Sequence, residues 1–69
     1  MDRQSVTSSN VASVGYDSDS STLEVEFKDG SIYQYFDVPE AIYNGLIGAG
    51  SVGGFLASQV KGTYRFSRI

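Results

Sequence analysis

The sequence predicts one small α+β domain: a three-stranded antiparallel β-meander, then two short helices and an extended C-terminal segment. The 69-residue chain has the length of one domain, residues 1–69. Apolar and polar residues alternate through the first half, as they do in strands. Apolar residues then recur every three or four positions through "EAIYNGLIGA" and "VGGFLASQV", which is typical of helices.

The first strand is predicted in "NVASVGYD" (10–17), with Ala12, Val14 and Tyr16 on one side. Residues 1–7 are polar and are expected to be loose. "DSDSS" (17–21) is expected to be a loop, because Asp and Ser side chains bond nearby backbone groups. It resembles the opening of a calcium loop, but the glycine that an EF-hand needs at its sixth position is missing. Turn chemistry is the better interpretation.

The second and third strands are predicted in "TLEVEFK" (22–28) and "SIYQYFDVP" (31–39), joined by Asp29-Gly30 in a two-residue type I′ turn. That turn sets the register and places the glutamates of the second strand opposite Tyr33 and Tyr35. The two tyrosines are therefore expected on the polar face. The opposite, apolar face is expected to hold Leu23, Val25, Phe27, Ile32 and Phe36.

The helices are predicted over 40–49 and 52–60, and both are expected to pack on this apolar face. Pro39 suits the first turn of the first helix, and Ser51 is expected to cap the second. The final "KGTYRFSRI" is predicted to be extended.

Charge and composition exclude several function classes. Residues 1–37 hold seven acidic and two basic residues, a balance of −5, whereas residues 38–69 hold one acidic and three basic, a balance of +2. The chain has no Cys and no His, which excludes disulfides, thiolate or imidazole zinc sites and His-based triads. No metal or cofactor is expected. No apolar run approaches the roughly 20 residues of a membrane span, so a cytoplasmic protein without a membrane partner is expected.

Two further patterns resemble functional motifs but are not interpreted as functional sites. "GAGSVG" (48–53) matches the dinucleotide fingerprint, but a helix is predicted before it and no acidic residue follows Glu40. Glu24 and Glu26 could be compared with a glycosidase carboxylate pair. Both lie on the exposed face of one predicted strand, without a cleft, and are interpreted as solvated. The sequence therefore does not predict an enzyme.

Three interpretations of the tyrosine face remain open: an amphipathic part of the core, a protein-contact surface, and a platform on which RNA bases stack. The C-terminal segment is expected to lie across or beside this face and to cover part of each ring through Tyr64 and Phe66. The binding residues predicted from the sequence are Tyr33, Tyr35, Lys61, Arg65 and Arg68.

The stretches "SSNVASVGYD", "LEVEFKDGSIYQYFDVP" and "SVGGFLASQVKGTY", with Tyr43 between them, resemble the KTSC domain over residues 5 to 68. That family occurs alone in bacterial and phage proteins and at the C-terminus of some lysyl-tRNA synthetases, and Tyr33-Gln34-Tyr35 matches its central Tyr-x-Tyr motif. The function of that family is not established, and the match adds no catalytic residue. Because the chain lacks His, Cys and any convergent polar cluster, it is expected to be a small non-enzymatic binding or interaction module. The alternative that the resemblance implies is RNA or other nucleic-acid binding through the Tyr-x-Tyr strand and the basic C-terminal segment. The sequence does not identify the partner; a protein and an RNA are the two candidates.

Overall fold

The computed structural model describes all 69 residues as an α+β fold: one five-stranded antiparallel sheet with helices on one face. The strands lie side by side in chain order: β1 (Arg3–Ser5), β2 (Val11–Asp17), β3 (Thr22–Phe27), β4 (Ile32–Tyr35) and β5 (Phe66–Arg68). Between β4 and β5 the chain forms α1 (Glu40–Ile47) and α2 (Val52–Phe55), and α2 continues as the π-helical segment Leu56–Val60. None of the helices has the length and apolar character needed to cross a membrane.

The sheet is larger than the three-stranded meander expected from the sequence, because both chain ends add a strand. Arg3–Ser5, expected to be loose, pairs with β2 and is held there by the ion pair between Arg3 and Glu24 at 3.0 Å. At the other end, Phe66–Arg68 pairs with β4. Strands of three residues are too short for an alternating pattern to reveal them.

The turn between β3 and β4 has three residues rather than the predicted two. The Phe27 N–H donates to the Ser31 carbonyl and the Gly30 N–H donates to the Phe27 carbonyl, both at 2.9 Å. Gly30 has φ of 93°, the left-handed conformation that closes a type I turn with a bulge. Asp29 accepts hydrogen bonds from the Ser31 hydroxyl and amide, at 2.6 and 2.9 Å, and these bonds lower the pKa of Asp29.

The extra loop residue shifts the strand register by one position, so the predicted face was wrong for β4 but not for β3. Val25 lies opposite Tyr33 and Leu23 opposite Tyr35, which places both tyrosines on the side of the sheet that the helices cover. A slip of one residue moves every side chain of a strand to the other face. The tyrosines therefore share a face with the aliphatic core and not with the glutamates.

The other residues predicted on the apolar face lie outside the buried core. Ile32 lies opposite Glu26 on the face away from the helices. Phe36 is only partly buried and lies under the guanidinium of Arg65, 5.7 Å from its ring centroid. Phe27 is on the predicted face but is only partly buried.

The core lies between the helices and the centre of the sheet. A bulge in β2 contributes to it: Val11 pairs with Phe27 and Ser13 with Glu26, which leaves Ala12 as the extra residue. Val11 therefore joins Val14 on the core side, where Ala12 was expected. The buried core residues are Val11, Val14, Leu23, Val25, Tyr35, Val38, Leu46, Val52, Leu56 and Val60.

The helices follow the local signals of the sequence. α1 begins directly after Pro39. The Ser51 hydroxyl accepts a hydrogen bond from the Gly54 amide at 3.1 Å, which confirms the predicted cap of α2. Gly45 allows α1 and α2 to approach closely, because a side chain there would lie 2.8 Å from the Phe55 ring. The π-helical segment ends at Val60, and the N–H of the following Lys61 donates to the Leu56 carbonyl at 2.9 Å.

Candidate ligand-binding groove

Four aromatic side chains line an open groove on the helix-facing side of the sheet. We call it the aromatic groove and define it by Phe27, Tyr33, Tyr35 and Phe66. Its volume is about 610 Å³, within the range of about 300–1,000 Å³ typical of small-molecule sites. Three adjacent strands supply these rings, so the sheet itself forms the floor.

Strand pairing brings the rings together. In the ladder between β4 and β5, Phe66 lies opposite Tyr35 and Arg68 lies opposite Tyr33. The Phe66 ring is 5.8 Å from Tyr33 and 5.9 Å from Tyr35, centroid to centroid. Tyr33 meets Phe27 edge to face at 5.6 Å, a favourable aromatic geometry. The prediction that the C-terminal segment lies beside the two tyrosines is confirmed, with Phe66 as the contacting residue.

The four rings differ in how much surface they offer to a ligand. Tyr35 is 3% exposed and forms the base of the groove, whereas Phe66 is 60% exposed at its edge. Phe27 and Tyr33 are partly buried. Burial raises the pKa of the Tyr35 hydroxyl, and the neighbouring Tyr33 adds to the effect. Tyr35 is thus mainly structural, while Phe66 and Tyr33 present aromatic surface to solvent.

Two cations lie over the aromatic floor. The Lys61 ammonium is 5.2 Å from the centroid of Phe27, and the Arg68 guanidinium is 6.0 Å from that of Tyr33. Both distances are within the range of cation–π attraction. Lys61 directly follows the π-helical segment and lines the groove.

The groove is positive although the protein is acidic. Lys28, Lys61 and Arg68 lie at the groove or its edge together with Asp29, three cations against one carboxylate, a sum of +2. Since the whole chain carries −3, the remaining residues sum to −5. An anionic group approaching the protein is therefore attracted to the groove and repelled from most of the remaining surface.

The structure brings together four of the five binding residues predicted from the sequence: Tyr33, Tyr35, Lys61 and Arg68. Arg65 lies elsewhere. Its guanidinium is 3.0 Å from the Asp37 carboxylate and covers Phe36 outside the groove.

Two groove residues had been assigned other positions from the sequence. Phe27 was placed in the core and Phe66 was expected only to cover the tyrosines. Phe66 and Arg68 are two positions apart in an extended segment, and this spacing places both side chains on the same face of the strand.

The opposite face of the sheet is polar, and of its two glutamates Glu24 is buried rather than solvated as predicted, whereas Glu26 remains partly exposed. Glu24 is 8% exposed, and its carboxylate accepts hydrogen bonds from Arg3 at 3.0 Å and Gln34 at 2.9 Å. Glu26 accepts one from the Ser13 hydroxyl at 2.9 Å. This network ties β1 to the centre of the sheet and belongs to the scaffold.

Comparison with known proteins shows the family. A family model of the KTSC domain matches residues 7–64, most of the chain. The chain belongs to the KTSC domain family. The crystal structure of a KTSC domain protein from Yersinia pestis superposes with a TM-score of 0.93 and 39% identity, covering 99% of this chain and 96% of that one.

Relatives of this KTSC domain occur alone and within a longer enzyme. An uncharacterized protein from Stutzerimonas stutzeri is 39% identical over 70 residues, covering 100% of this chain and 99% of that protein. A lysine–tRNA ligase from Nostoc punctiforme is 35% identical over 54 residues, covering 78% of this chain and 10% of the ligase. The KTSC domain thus corresponds to a small part of that ligase.

Proposed function

We propose that this KTSC domain is a non-enzymatic binding module and that the aromatic groove is its ligand-binding surface. The observation that supports this most directly is Phe66, 60% exposed in an open groove beside Tyr33. Exposed apolar patches and aromatic residues are enriched where proteins bind partners.

The groove has two chemically distinct parts that a ligand can use together. A flat or apolar group can pack on the rings of Phe66 and Tyr33. A carboxylate or phosphate attached to it can reach the ammonium of Lys61 or the guanidinium of Arg68. Neither part supplies a nucleophile with a neighbouring base, and the chain contains no His or Cys.

A titration followed by NMR amide shifts tests this proposal. The probe is indole-3-acetate, which carries a flat ring and one carboxylate. We expect shifts at Tyr33, Lys61, Phe66 and Arg68. Phe66→Ala should weaken binding about tenfold, the equivalent of about 1.4 kcal/mol.

The matched control is Ile47→Ala, which removes a side chain that is 38% exposed on α1, outside the groove. This variant should bind the probe as the unmodified protein does. Shifts centred away from the groove, or equal affinities for the two variants, would contradict the proposal.

A second candidate function is binding of single-stranded nucleic acid. Two observations favour it: the cations over the aromatic floor and the lysine–tRNA ligase relative. Stacking of a base on an aromatic ring contributes about 1–3 kcal/mol. The sequence pI of about 4.5 disfavours it, because phosphate neutralisation supplies most of the affinity in such complexes.

Salt dependence and a pair of arginine variants test this second candidate. With phosphate contacts from Lys61 and Arg68, log K for an oligouridylate should fall with log salt at a slope of roughly −1.4. Arg68→Gln should weaken binding. Arg65→Gln is the matched control, since Arg65 is paired with Asp37. An affinity that does not change with salt concentration, or that both variants lower equally, would contradict an electrostatic mode of binding.

A further inference from the structure

β5 is the last strand of the sheet, and its outer edge is free. The Ile69 N–H donates to the Ile32 carbonyl and the Arg65 carbonyl accepts from the Phe36 N–H, each at 2.9 Å. Backbone groups in an antiparallel ladder alternate between the two sides of a strand. The N–H and C=O groups of Phe66 and Arg68 therefore point away from β4, toward solvent.

The same two residues present their side chains to the aromatic groove. Phe66 and Arg68 lie opposite Tyr35 and Tyr33 in β4, at positions where the two strands do not exchange hydrogen bonds. Side chains are closest at such positions. One short strand thus combines an exposed ring and a cation on one face with unpaired backbone groups along its edge.

Charge indicates what can occupy this edge. A second copy paired along this edge would bring the Arg68 side chains of the two molecules close together, and like charges across paired strands are destabilising. Charged residues on an edge strand are a common protection against such self-association. An acidic segment has the opposite effect: it pairs with Arg68 and is attracted by Lys61.

We propose that the free edge of β5 binds an extended acidic peptide, which adds to the sheet as a sixth strand. This inference rests on the proposed function, because it names the ligand class of the aromatic groove. Strand addition uses backbone hydrogen bonds for affinity and alternate side chains for specificity. A nucleic acid would leave the edge groups of β5 unused.

The geometry specifies a short recognition pattern. The sheet is antiparallel throughout, and a strand continuing it passes Arg68 first and Phe66 second. Its residue opposite Arg68 carries a carboxylate. Its residue opposite Phe66, two positions later on the same face, carries an aromatic ring that packs on the exposed Phe66. The pattern is an Asp or Glu, any residue, then an aromatic residue.

Fluorescence anisotropy with a labelled peptide, Gly-Thr-Glu-Ser-Phe-Thr-Gly, tests this inference. Methylating the backbone nitrogen of its Phe removes a hydrogen bond to β5, and we expect affinity to fall about tenfold. Methylating the Ser nitrogen is the matched control, because that N–H points away from β5; affinity should stay within about twofold. Replacing the peptide Glu by Lys should weaken binding, as should Arg68→Gln in the protein.

The outcomes separate the two proposals. No binding of this peptide at millimolar concentration, or equal losses from the two methylations, would overturn strand addition. If the peptide fails while indole-3-acetate still shifts Lys61 and Phe66, the binding groove stands and only the ligand class is wrong. An oligouridylate that binds where the peptide does not would overturn the peptide and favour nucleic acid.

Discussion

Two tyrosines two positions apart have different physical roles in this domain. Tyr35 is 3% exposed and belongs to the core, whereas Tyr33 is partly buried and contacts Phe27 and Phe66 at the surface. Tyr33 still packs against the core cluster, but it is the less deeply buried of the two. Residue type alone does not reveal which tyrosine is buried in the core and which borders the groove.

The first residue-scale prediction concerns the ionisation of Tyr35. Burial raises its pKa in the folded state above the ordinary value of about 10. The resulting stabilisation is complete below about pH 10 and is lost as pH rises through the folded pKa. Tyrosinate absorbance should show one of the five tyrosines titrating last. Tyr35→Phe should remove that component, and an unchanged titration curve would refute the assignment.

The second residue-scale prediction compares two apolar residues of β3. Leu23 is 0% exposed, so Leu23→Ala should lower the free energy of unfolding by about 2–5 kcal/mol. Phe27 borders the groove and is only partly buried, and Phe27→Ala should cost less, about 1–2 kcal/mol. Urea denaturation measures both. A larger loss at Phe27 would place it in the core, as the sequence suggested.

At the scale of elements, the β3–β4 turn sets the position of the groove, and Gly30 makes its conformation accessible. Gly30→Ala should destabilise the domain by about 1–2 kcal/mol, because φ is 93° there. Gly50→Ala is the matched control: a side chain at either glycine meets no atom within 4 Å, and only Gly30 of the two has positive φ. Equal thermal shifts for the two variants would contradict the bulged turn.

The attachment of β1 gives a second prediction at this scale. A side chain at Gly15 would lie 2.5 Å from the Asp2 carbonyl oxygen and 3.0 Å from Arg3 Cγ. Gly15→Ala should therefore displace β1 and expose the Val6 N–H, which donates to Ala12 at 3.2 Å. Hydrogen exchange at Val6 should accelerate in this variant, while core amides of β3 remain protected. Unchanged exchange at Val6 would show that β1 does not need this close approach.

For the whole molecule, local signals predicted the α+β class and both helices, since Pro39 and the Ser51 cap act within one turn. The register was not predictable in the same way. Asp29-Gly30 suits both two-residue and three-residue loops. β4 carries Ile32 on one face and two tyrosines on the other, so the apolar pattern does not specify which face is buried. β1 and β5 depend on pairing between distant segments.

The candidate site was predicted only in part, because it also depends on pairing between distant segments. Tyr33, Tyr35, Lys61 and Arg68 meet because β5 pairs with β4, which the sequence suggested only as a segment lying nearby. Arg65 was included because of its charge, but it is paired with Asp37 outside the groove. Arg65 and Asp37 are 28 positions apart in the chain, so no local sequence pattern indicates that they pair.

The most direct test is the register of the β3–β4 hairpin, because a slip of one residue would remove both tyrosines from the groove. Residues at positions without hydrogen-bond exchange come closest across the ladder, and NMR detects their Hα–Hα contacts. The three-residue turn predicts such contacts between Glu24 and Gln34 and between Glu26 and Ile32. Contacts between Val25 and Gln34 and between Phe27 and Ile32 would instead contradict it and place the tyrosines on the glutamate face.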